Sequence, residues 1–116
     1  SVDATLFALS TIIDNKNTIL IIGGKDKNLS LDRLNTIKVN QIICYGQLIN
    51  KAKKVLKKVI LADCLANAFT IAINIKCDNK IILFSPLCSS FDQFKNYKDR
   101  GKCFDKLVNL YEKNKL

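Results

Sequence analysis

Short apolar runs alternate with stretches of helical spacing along this chain, and that alternation limits the folds it can adopt. Runs rich in Ile, Val and Leu are typical of strands buried on both faces of a parallel sheet. Strands are predicted at 18–22, 39–45, 59–61 and 80–84, and helices at 2–13, 29–37, 47–58, 91–97 and 102–112. Asp63 is predicted to open one more helix, whose apolar face consists of Leu65, Ala68, Phe69, Ala72 and Ile73.

Strands that alternate with helices predict an α/β fold: a Rossmann-like, doubly wound, mostly parallel sheet with helices on both faces. The common strand order 3-2-1-4 would place the first and fourth strands side by side, so that their carboxyl-terminal loops meet at the switch point where ligands bind. A length of 116 residues with 48% hydrophobic content fits one domain, and no boundary is predicted within 1–116.

The charge is strongly basic, with 19 Lys and Arg against 10 Asp and Glu. Of the 19 basic residues, all but Arg33 and Arg100 are lysines. Recognition of nucleic-acid bases and bidentate binding of phosphate favour arginine over lysine. Nucleic-acid binding through the lysine-rich face of 51–58 therefore stays a minor alternative. A second alternative is that residues 47–58 form a helix that lies on a membrane surface. We prefer the interpretation that they form an amphipathic helix that covers the sheet, with its lysines in water. No apolar stretch is long enough to span a bilayer, so we expect a cytoplasmic protein without a membrane or nucleic-acid partner.

The sequence lacks histidine, which excludes imidazole bases and the usual catalytic triads. Five cysteines are present without a C-x-x-C pair, a pattern that favours reduced thiols. Cys44, Cys64, Cys77 and Cys103 are each predicted to be small buried hydrophobes. No catalytic group and no metal site is expected within this chain.

Two loops could still bind a ligand at the predicted switch point. Residues 23–27 (GGKDK) combine glycines, which permit close backbone approach, with the point charges of Lys25 and Lys27. Residues 90–93 (SFDQ) match a capping box, in which Ser90 begins a helix whose free N–H groups suit an anion. A small-anion binding surface is the functional interpretation; a plain glycine turn and a simple helix cap are the alternatives.

Residues 85–97 (SPLCSSFDQFKNY), followed by Arg100 and Gly101, resemble the C-terminal domain of UDP-N-acetylmuramoyl-L-alanine:D-glutamate ligases, members of the Mur ligase family. The family pattern there is S-P-A-C-A-S-F-D-Q-F-K-N-F, then R-G. Residues 21–27 (IIGGKDK) resemble the family's L-G-G-x-x-K, and residues 1–5 (SVDAT) resemble the stretch just after its D-S-K-A-T-N segment. The similarity covers essentially the whole chain.

The resemblance implies an ATP- and magnesium-dependent ligase of peptidoglycan and cell-wall synthesis, with roles in cell shape and division. Its full-length members join D-glutamate to UDP-N-acetylmuramoyl-L-alanine. By position, Lys27 falls on the lysine that pairs with one D-glutamate carboxylate. Ser90 and Phe91 fall on the residues that bind the other carboxylate, and Tyr97 falls on the ring that packs against the substrate.

Several features depart from that family. Leu87 and Ser89 replace small alanines, Tyr97 replaces phenylalanine, and the UDP-binding and ATPase domains are not in this sequence. We therefore expect the isolated chain to be a catalytically inert monomer that binds no ATP or magnesium and binds D-glutamate weakly. The competing hypothesis is a stand-alone Rossmann-like module that binds a small anionic metabolite.

Overall fold

The computed structural model describes residues 1–12, 14–25, 28–86 and 97–115, with all their side chains except those of Tyr97, Asp99, Asn114 and Lys115. Helices and strands alternate as the sequence predicts. The strands are β1 (Thr18–Gly23), β2 (Gln41–Tyr45), β3 (Ile60–Ala62) and β4 (Ile81–Phe84). The α-helices are α1 (Val2–Ser10), α2 (Ile49–Val55), α3 (Leu65–Asn74) and α4 (Tyr97–Lys115), and short 3-10 helices cover Asn15–Asn17, Asp32–Thr36 and Gly46–Leu48.

The four strands form one sheet in the order β3-β2-β1-β4. Every strand pair is parallel, and β1 lies between β2 and β4. Each of β1, β2 and β3 is followed by a helical connection that returns the chain to the opposite end of the sheet, as parallel pairing requires. The predicted α/β class and the predicted strand order are both confirmed.

Helices cover both faces of the sheet because alternate β1 side chains point to opposite sides. Leu20 and Ile22 belong to one core cluster, and Ile19 and Ile21 belong to the other; all four are fully buried. The first cluster packs against α1, the 3-10 helix Gly46–Leu48 and α2, through residues that include Val2, Leu6, Leu48 and Ala52. The second packs against α3 and α4, through residues that include Leu65, Ala68, Phe104 and Leu107.

The lysine-rich segment at 47–58 is amphipathic and covers the sheet, as predicted, although only Ile49–Val55 of it is α-helix. Its apolar side contributes Leu48, Ala52 and Leu56 to the core. Its outer side exposes four lysines, Lys53, Lys54, Lys57 and Lys58. Within the described ranges, no helix combines the length and the apolar character needed to cross a membrane.

Several predicted helix boundaries were wrong. The helix predicted at 2–13 ends at Ser10, that at 29–37 is only the 3-10 helix Asp32–Thr36, and that at 47–58 is α2 preceded by a 3-10 turn. The last helix starts at Tyr97 instead of 102; residues 91–96 of the separately predicted helix 91–97 lie outside the described residues. The short helices are packed connections whose ends are set by tertiary contacts, which sequence periodicity does not specify.

The predictions for Asp63 and for three cysteines were also wrong. Cys64, not Asp63, caps α3: its backbone is extended, and its Sγ accepts a hydrogen bond from the Asn67 N–H at 3.4 Å. The Asn67 Oδ1 in turn accepts from the Asp63 N–H at 3.2 Å, a reciprocal exchange like that of a capping box. Cys44 is buried as predicted, whereas Cys64, Cys77 and Cys103 are only half-buried, because they lie at helix and loop surfaces.

Candidate functional site

The carboxyl-terminal ends of β1 and β4 lie side by side, at the point where the strand order reverses. Ile21 of β1 is in register with Phe84 of β4, and the Ser85 N–H donates to the Ile21 carbonyl at 2.9 Å. The chain leaves β1 toward β2 on one side, while β4 lies on the other. Crevices at such switch points are where open α/β sheets bind ligands.

The glycines that end β1 allow the chain to turn beside the neighbouring strand. Gly24 adopts φ 120°, a region that L side chains rarely adopt. Its carbonyl accepts a hydrogen bond from the Leu48 N–H at 2.9 Å, which ties the loop after β1 to the turn after β2. Lys25 follows with an exposed side chain, which places a solvent-accessible cation at this edge.

The first turn of α1 reaches the same edge of the sheet. Thr5 is fully buried, and its hydroxyl is in hydrogen-bond contact with the hydroxyl of Ser85, the residue directly after β4. Ser1 caps α1 by accepting from the Ala4 N–H at 3.1 Å. Three separate segments thus converge here: the start of α1, the end of β1 and the end of β4.

Aromatic rings fix α4 against β4 on the other side of this edge. The rings of Phe84 and Phe104 stack with their centroids 4.8 Å apart. Phe69 of α3 meets Phe104 edge-on at 5.8 Å. Such pairs add stabilisation beyond their buried area, so the helix that begins at Tyr97 is anchored to both β4 and α3.

The residues predicted to bind the ligand fall largely outside the described part of the chain. Lys27, Ser90 and Phe91 all lie outside it, and so does the side chain of Tyr97, whose backbone begins α4. The structure does place side by side the ends of the two strands that precede them, β1 through Ile21 and β4 through Phe84 and Ser85. Their individual roles remain predictions.

Three residues to which the sequence assigned no role have notable positions in the structure. Thr5 and Ser85 lie at this edge, and Arg100 is buried in α4. Thr5 and Ser85 contact each other across a separation of 80 residues. Arg100 is only 8% exposed, which is rare for a charged side chain. The sequence did contain a signal for each of them. Thr5 lies in the stretch 1–5 that resembles a family segment, Ser85 precedes a proline, and Arg100 is one of only two arginines in a lysine-rich chain.

At this edge, the described residues present the hydroxyls of Thr5 and Ser85, which contact each other, and the exposed side chain of Lys25. Nowhere in the described ranges do three His, Cys, Asp or Glu side chains group in a way that could hold a metal ion.

Comparison with known proteins decides the family. The chain is 38% identical over 114 residues to the UDP-N-acetylmuramoylalanine–D-glutamate ligase of Aquifex aeolicus. It is 38% identical over 115 residues to that of Francisella philomiragia. These alignments each include 93% of the chain. The chain belongs to the family of these ligases.

The match extends over one part of the ligase relatives only. The alignments cover 27% of the Aquifex ligase and 28% of the Francisella ligase. A third relative, from Hydrogenovibrio crunogenus, is 35% identical over the whole chain and 27% of its own length. No protein-family model matches the chain. The chain thus spans about a quarter of the length of these relatives.

Proposed function

We propose that this chain is the C-terminal, D-glutamate-binding domain of a cytoplasmic, ADP-forming UDP-N-acetylmuramoyl-L-alanine:D-glutamate ligase of peptidoglycan synthesis. The observation that carries the proposal is the 38% identity to such ligases over 93% of the chain. The parallel pairing of β1 with β4 supports it, because the two segments that resemble the family's D-glutamate loops follow these two strands.

In this proposal the domain holds both carboxylates of D-glutamate. Lys27 pairs with one of them, and the Ser90 hydroxyl and Phe91 N–H donate to the other. The Tyr97 ring packs against the carbon chain between them. Two fixed carboxylates orient the amino group toward the acceptor, which lowers the entropic part of the barrier.

In this proposal the domain itself binds neither ATP nor magnesium. The sequence contains no G-K-[ST] phosphate loop, and the described residues offer no group of metal ligands. In the proposal, the nucleotide, the metal and UDP-N-acetylmuramoyl-L-alanine are bound by the rest of the ligase, where ATP activates the acceptor carboxylate. The isolated chain is then inert, and it contributes by closing over the other domains with D-glutamate bound.

The kinetic test uses the ligase that contains this chain. Lys27→Ala and Ser90→Ala should each raise the KM for D-glutamate by about tenfold or more, since each loses a charge-assisted hydrogen bond. The KM for ATP should stay within about twofold if the two sites are independent. Lys25→Ala is the matched control: it removes an exposed lysine from the same loop and should leave both constants unchanged.

Equal increases in both KM values, or the same effect from Lys25→Ala, would count against the assignment. A second measurement separates the proposal from the stand-alone binding module. In an NMR titration of the 116-residue chain, D-glutamate should bind weakly, because other domains complete the site. Tight binding, at about 1 µM or below (about 8 kcal/mol), would instead favour the stand-alone module.

A further inference from the structure

Ser85 begins the segment that carries Ser90, and the fold holds it in place by two independent contacts. Its N–H donates to the Ile21 carbonyl at 2.9 Å, which extends the pairing of β4 with β1 by one residue. Its hydroxyl contacts the hydroxyl of Thr5 in the first turn of α1. The next residue, Pro86, has a fixed φ and keeps the residue before it extended. Ser85 itself is therefore held by both its backbone and its side chain.

The surroundings of Thr5 hold its hydroxyl in position for the contact with Ser85. Its side chain is fully buried, where an unmade hydrogen bond would be costly. Its N–H and its hydroxyl both donate to the Ser1 carbonyl, at 3.1 and 3.2 Å. A hydroxyl has a single proton, so both side-chain contacts are satisfied when Thr5 donates to Ser1 and accepts from the Ser85 hydroxyl.

We propose that Thr5 and Ser85 are positioning residues for D-glutamate: their hydroxyl pair fixes the first turn of α1 to the origin of the segment that carries Ser90 and Phe91. This role rests on the proposed function. Neither residue touches the substrate in the proposal. They act on the reaction by fixing where the carboxylate-binding segment starts, and small misplacements of binding groups have large kinetic effects.

The chain offers a matched control in Thr18, at the opposite end of β1. Thr18 is also fully buried, and among the residues that the structure describes its Oγ1 has no hydrogen-bond partner. Thr5→Val and Thr18→Val thus remove the same atom from equally buried sites. Only the first breaks a contact at the carboxyl-terminal edge of the sheet. Thr5→Ser retains the hydroxyl and loses only a methyl group.

The test measures steady-state kinetics in the ligase that contains this chain. Thr5→Val and Ser85→Ala should each raise the KM for D-glutamate by about three- to tenfold, the equivalent of one neutral hydrogen bond, with the KM for ATP unchanged. Thr5→Ser should retain the unaltered value, and so should Thr18→Val. The double variant Thr5→Val/Ser85→Ala should be no worse than either single variant, because both remove the same interaction.

A second readout is independent of activity. In the 116-residue chain, Thr5→Val should accelerate amide hydrogen exchange at Ser85 by about tenfold, while Thr18→Val leaves it unchanged. An unchanged KM for D-glutamate in Thr5→Val, or equal changes in both KM values, would overturn the positioning role alone. An unaltered ligase that forms no ADP in response to D-glutamate would overturn the proposed function and this role with it.

Discussion

The backbone of Gly23 lies directly against the ring of Tyr45. The two residues are register partners in β1 and β2, and a Cβ placed on Gly23 would come within 2.3 Å of the Tyr45 Cε1. Tyr45 is fully buried, and its ring also meets Phe84 at 6.4 Å between centroids. The absent side chain of Gly23 thus makes room for an aromatic ring that joins β2 to β4 across the end of β1.

Gly23→Ala should destabilise the fold by about 1–3 kcal/mol, because the new methyl group would overlap an enclosed ring that cannot move without repacking the core. Chemical denaturation followed by circular dichroism measures the loss. Gly101→Ala is the control: it lies within α4, and no atom lies within 4 Å of its added Cβ. It should stabilise by about 0.5–1 kcal/mol. A neutral Gly23→Ala would contradict the packing argument.

The central strand and the strand order follow from the sequence for a local reason. Residues 18–22 form an unbroken run of β-branched and aliphatic residues, and all of β1 is buried, as expected for a strand covered on both faces. Right-handed crossovers then restrict the strand orders to a few. Neither inference needs knowledge of side chains that are distant in sequence.

The contacts at the candidate site could not be predicted because they join distant residues. Nothing in the first turn of α1 indicates that Thr5 meets Ser85, 80 residues away. Cys64 was missed as a helix cap because a thiol is a weak acceptor, and Asp63 beside it is the usual capping type. The roles of Lys27 and Ser90 come from family resemblance and not from folding physics.

Thr18→Val should stabilise the protein. The Thr18 hydroxyl is fully buried and has no hydrogen-bond partner among the described residues. The free-energy cost of removing it from water is therefore not offset by a hydrogen bond in the folded state. Valine has the same shape and a high strand propensity. We expect a gain of about 1 kcal/mol, measured as a higher denaturation midpoint with an unchanged slope. A loss of stability would show that the hydroxyl is hydrogen-bonded after all.

Lys80 stabilises the carboxyl end of α3. Its Nζ donates to the carbonyls of Ala72 and Ile73, both at 2.9 Å, where the helix dipole favours a cation. Lys80→Met retains most of the aliphatic stem and should cost about 1 kcal/mol. Lys76→Met, an exposed lysine in the same connection, should cost little. Thermal denaturation of both variants checks this; equal losses would mean that lysine charge in general, not the cap, matters.

Cys103 should make stability depend on pH in the alkaline range. Burial raises the pKa of its thiol above its ordinary value; the nearby Cys64 raises this pKa further, and Lys106 lowers it. The folded state therefore holds its proton to higher pH than the unfolded state. The resulting stabilisation is fully present below the unfolded pKa and is lost as pH rises through the folded pKa.

Alkylation by iodoacetamide tests the pKa directly, since only the thiolate reacts. The pH at which the rate at Cys103 is half-maximal should be higher in the folded chain than in the chain unfolded by urea. Using the midpoint instead of the rate itself separates the pKa from simple steric protection. Cys103→Ala should weaken the alkaline decline in stability. A folded midpoint at or below the unfolded one would mean that Lys106 outweighs burial and Cys64.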